Sequence, residues 1–67
     1  MNIREFVKKS TEYDRYRKRG IWEQYTVYNV WNKKWEGAKI GLPHFALVDG
    51  ENIRIANHEE TMKIMGL

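Results

Sequence analysis

Four cations near the start of the chain, Arg4, Lys8, Arg15 and Arg19, follow one another at spacings of four, seven and four. On a helix that spacing sets them along one face, within about 60° of one another. Arg4 with Lys8 and Arg15 with Arg19 are then like-charge pairs one turn apart, which weaken an isolated helix slightly. An anionic partner, such as a phosphate backbone or an acidic protein surface, would offset that repulsion. A solvated face balanced by its own carboxylates explains the same pattern, since Glu5, Glu12 and Asp14 sit three or four positions from Lys9, Lys8, Arg15 and Lys18. Cations near a helix C-terminus also suit its dipole without any partner.

A second group joins aromatic rings to lysines: Trp22, Tyr28, Trp31 and Trp35, with Lys33, Lys34 and Lys39 close by. Exposed rings flanked by cations stack and track single-stranded nucleic acid. Tryptophan and tyrosine are equally the residues of protein-interface hot spots, and of small cores. Core filling is the commonest use of such rings, a protein interface the next, and base stacking the third. No RNP-like Gly-Phe-aromatic pattern accompanies them.

Other chemistry finds little support. His58-Glu59-Glu60-Thr61-Met62 opens like a zinc-protease helix but carries Met62 where a second histidine must stand, so two ligands on one face are missing. Asp49-Gly50-Glu51-Asn52 resembles part of a calcium loop without its repeated acids or closing glutamate, and reads as a hairpin turn. Ser10 is the only serine, and no nucleophile elbow, P-loop or dinucleotide fingerprint occurs. Cysteine is absent, which removes disulfides and thiol chemistry. No catalytic residues, metal ligands or cofactor are expected.

The elements that must position these residues follow from periodicity. Residues 2–19 read as one helix: Asn2 and Glu5 make an N-x-x-E start, Ile3, Phe6, Val7, Ser10 and Tyr13 a core stripe, and Gly20 the stop. Tyr25–Trp31 is β-branched and aromatic, which favours a strand with apolar residues on both faces, although Ile21, Tyr25, Tyr28, Trp31 and Trp35 also share a helical spacing. Lys33-Lys34, Gly37, Gly41 and Pro43 mark a long loop. Phe45–Val48 and Ile53–Ala56 flank the Asp-Gly turn of a hairpin. Asn57 and Glu60 repeat the N-x-x-E signal, so a last helix starts near His58 and ends at Gly66. The expected fold is α+β in the order α-β-β-β-α, with a three-stranded antiparallel sheet and both helices on one face.

Sixty-seven residues hold one small domain, here taken as 1–67. Twelve basic and nine acidic side chains give a formal charge of +3. Residues 1–20 hold seven basic and three acidic side chains, whereas residues 43–67 hold two basic and four acidic, so one end is basic and the other acidic. No apolar run reaches the roughly 18 residues of a membrane span, and Met1-Asn2-Ile3-Arg4-Glu5 lacks a signal-peptide core, so a cytoplasmic location is expected. Nine aromatic rings exceed the enclosed positions so small a core offers. The leading expectation is a non-enzymatic module binding another protein through aromatic surface near the central strand. Homodimerisation through a strand edge or that face is a corollary. The alternative is a nucleic-acid-binding domain using Arg4, Lys8, Arg15 and Arg19, with the rings as stacking platforms. The candidate binding set is those four cations with Trp22, Tyr28, Trp31, Lys33, Lys34 and Trp35.

Overall fold

The structure is a computed structural model and describes residues 2–37 and 42–66. Its elements are α1 (Ile3–Lys9), β1 (Arg15–Trp22), β2 (Tyr25–Trp31), a 3-10 turn (Lys33–Trp35), β3 (His44–Asp49), β4 (Asn52–Ile55) and α2 (His58–Met65). The strands form one antiparallel sheet in the order β1-β2-β3-β4. The architecture is α+β as expected, but with four strands instead of three.

The extra strand comes out of the expected first helix. Asn2 does cap α1, its side chain accepting from the Glu5 amide at 2.9 Å. The helix ends after seven residues, at Ser10. There the serine Oγ accepts from the backbone amides of Glu12 and Tyr13, both at 3.1 Å, drawing away the donors that a continuing helix would aim at its own carbonyls. The chain then enters β1, whose Tyr16, Lys18 and Ile21 pair with Val30, Tyr28 and Thr26 of β2. Helical propensity in the Arg-Lys run is a weak preference, and ladder pairing with β2 overrides it. Arg19 has no partner in the register, which jumps between Lys18 and Gly20. Gly20 accommodates this bulge at φ +156°. It therefore kinks a strand and stops no helix.

Periodicity of two divides the sheet into two faces. On one, Val30 and Ala46 pack with Val7 and Tyr13, beneath α1. On the other, Val27, Phe45 and Leu47 pack with Ile64 of α2. The helices thus cover opposite faces, not the same one. The apolar residues on both faces of Tyr25–Trp31 had this cause: β2 and β3 are central and need covering twice. Phe45, Leu47, Ile64, Val27 and Val30 are almost wholly enclosed, each worth about 1.5–3 kcal/mol of burial.

The C-terminal elements follow the sequence signals closely. Asp49 pairs with Asn52 across the Gly50-Glu51 turn, and Gly50 takes the left-handed φ of +61° that the Asp-Gly dipeptide foretold. Both halves of the α2 capping box form: Asn57 Oδ1 accepts from the Glu60 amide at 2.8 Å, and Glu60 Oε1 from the Asn57 amide at 3.1 Å. Asn57→Ala is expected to cost about 1 kcal/mol, seen as a fall of about 4–8 °C in the thermal midpoint.

Glu60 also ties α2 to the sheet. Its carboxylate takes both Arg54 guanidinium nitrogens, at 2.6 and 2.7 Å. These bonds, and then the Asn57 amide, hold the Glu60 carboxyl down at about 2, from an ordinary 4.5. A group with a lowered native pKa stabilises the fold above its unfolded value and loses that contribution as the proton returns. Stability should fall as pH drops from 4.5 to about 2. In urea titrations from neutral pH down through that window, Glu60→Gln should start less stable than the parent and show a shallower decline.

Candidate functional site

The four cations expected on one helix face are separated. Arg4 and Lys8 remain one turn apart on exposed α1, where they border a groove of about 350 Å³ with Tyr16. Arg15 and Arg19 lie on β1. Their common helix face does not exist, because the helix stops at Ser10 before reaching either.

What β1 provides is a different array. Arg15, Arg17, Lys18 and Arg19 occupy four of five consecutive positions on an edge strand, and all are exposed. Arg15 faces Trp31 across the ladder and Arg17 faces Asn29, so these four side chains share the α2 face of the sheet. Lys18 pairs with Tyr28 and projects to the α1 face. Arg19, in the bulge, leans over the Phe45 ring at 5.2 Å and donates to the Ile64 carbonyl at 3.5 Å. Its work is structural, a cation against a core ring and a helix C-terminus.

Two carboxylates close to this strand accept hydrogen bonds from other groups. Asp14 Oδ1 accepts from the Lys33 amide at 2.8 Å, and Glu36 Oε2 from the Trp31 indole at 2.9 Å. Among the described residues the ion pairs are Arg54–Glu60 and Glu59–Lys63, so none of the β1 cations is neutralised by a neighbour. Lys33 and Lys34 stand exposed in the 3-10 turn directly after Trp31.

The rings divide between packing and surface. Tyr13 and Phe45 are buried. Tyr28 and Trp35 pack against the α1-side core, and Trp22, stacked on Tyr25, against the α2-side core. Trp35 meets Tyr13 edge-on at 5.8 Å, and the Tyr13 hydroxyl lies 2.6 Å from His44 Nδ1. Burial, and then the Glu12 charge, raises the Tyr13 pKa. Three of the expected binding rings, Trp22, Tyr28 and Trp35, therefore carry structure. Trp31 is half-buried and, among the described residues, belongs to neither core. Tyr16 is 41% exposed.

Reading residues 2–19 as a helix hid Arg17, Lys18 and Asn29. The signal was the alternation Arg15-x-Arg17-x-Arg19, which has the period of a strand. No helix among the described residues is long and apolar enough to cross a membrane. The chain matches no family model, no curated protein and no solved structure at a significant level.

Proposed function

We propose that the protein is a small non-enzymatic binding module that takes up nucleic acid along β1. The observation carrying this reading is a set of three exposed cations on an edge strand, Arg15, Arg17 and Lys18, without an ion-pairing carboxylate among the described residues. Charge on an edge also prevents strand-to-strand pairing, but one lysine serves that end. Three cations on two faces exceed it, and their field attracts a polyanion. The same charges oppose a second copy laid along β1.

Titration into labelled oligonucleotides at low and moderate salt tests the reading. Binding that weakens steeply with salt is expected, and no binding even at low salt would end the proposal. A protein partner on the α1 face of the sheet is the second reading. It is favoured by Ile21, 73% exposed at the head of the cross-strand row Ile21, Thr26, Val48 and Ile53. Under that reading Ile21→Asp, not loss of the β1 arginines, abolishes the interaction.

A further inference from the structure

We infer that Trp31 and Asn29, set beside Arg15 and Arg17, form a subsite for one unpaired nucleobase, so that the nucleic acid bound is single-stranded. This rests on the nucleic-acid reading of β1 and specifies its ligand. Arg15 and Arg17 are two residues apart on one face, about 6.8 Å along the strand, a step comparable to that between neighbouring phosphates of an extended nucleic-acid strand. Their ladder partners are Trp31 and Asn29, with side chains about 4.5–5.5 Å away at Cβ. A phosphate held by either arginine thus brings its own base over β2.

Trp31 suits that base. Among the described residues it packs into neither core, and its indole N–H is fixed on Glu36 at 2.9 Å, which orients the ring before any ligand arrives. At its edge Trp31 borders a cavity of about 150 Å³ that opens toward Trp35, Glu36 and His44. Among the described residues the Asn29 amide makes no hydrogen bond, leaving a donor and an acceptor for a base edge. In a duplex every base is paired and stacked inward, so none can lie flat on Trp31.

The test compares a short single strand with a duplex of equal length by fluorescence anisotropy at low salt. The single strand is expected to bind about tenfold tighter or better. Trp31→Leu should weaken it by about five- to a hundredfold while leaving duplex affinity unchanged, and Trp31→Phe should restore most of the loss. On the unaltered protein, a strand carrying 5-iodouracil should cross-link under ultraviolet light to Trp31, a result independent of how any variant folds. Equal affinity for both forms with no adduct on Trp31 would overturn this inference and leave the β1 reading standing. Binding of neither form at low salt would instead remove the β1 reading itself. A polyglutamate peptide that displaces the strand at equal affinity would assign the site to an acidic protein segment and overturn both.

Discussion

Changing Arg15, Arg17 and Lys18 together to alanine is expected to lower affinity for a single-stranded oligonucleotide by about a hundredfold at 0.1 M salt. Each cation that neutralises a phosphate contributes a slope of about 0.7 in the log–log salt plot for single strands. Three such contacts make a slope of about two, or two decades of affinity between 1 M and 0.1 M salt. The slope of the variant should be shallower by that amount, a signature that a general loss of fold would not imitate. All three side chains are exposed, so far-UV circular dichroism and the urea midpoint should change little. Arg19 is left out because its guanidinium rests on Phe45 and the end of α2. Removing it would mix binding with stability. Arg4→Ala with Lys8→Ala should cost much less, since both lie on α1 and outside the β1 strand.

The largest stability effect is expected at Phe45. Its ring is 1% exposed and packs with Val27, Leu47 and Ile64 while carrying Arg19 on its face. Phe45→Ala removes the transfer energy of the ring and leaves a cavity, together about 3–5 kcal/mol. A domain of this length holds about 3–10 kcal/mol in all, and without disulfides it belongs toward the lower end. The variant should therefore be largely unfolded at physiological temperature, with loss of near-UV circular dichroism. Ile21→Ala, at a side chain 73% exposed, should shift the urea midpoint hardly at all.

Where local chemistry decides structure, the sequence was readable. Asn57 and Glu60 form their box whatever surrounds them, Asp49-Gly50 turns because Gly50 tolerates a positive φ, and Tyr25–Trp31 is a strand because its β-branched and aromatic residues suit a doubly covered one. Where a distant partner decides, it was not. Arg15–Trp22 carries good helix formers and follows a helical stripe, and only pairing with Tyr25–Trp31 makes it extended. The tight link between them is itself poorly signalled: Glu23 takes φ +56° at a position where glycine or asparagine would have announced a hairpin. Missing that strand displaced the candidate site. Arg15 and Trp31 were both named in the expected set, but with Arg15 on a helix face they could not be seen to adjoin each other, Arg17 and Asn29. The aromatic count fared better. Nine rings do exceed the sheltered positions, with two buried, most of the others packed at the core margins, and Tyr16 and Trp31 outside both cores.

Backbone amide chemical-shift mapping during titration with a short single-stranded oligonucleotide tests the central claim most directly. Perturbations are predicted to concentrate on Arg15 to Lys18 and, one strand inward, on Asn29 and Trp31, and to fade as salt is raised. Shifts centred instead on α2 or the β4 edge, or no shifts at low salt, would contradict the assignment of ligand binding to the cationic edge of the sheet.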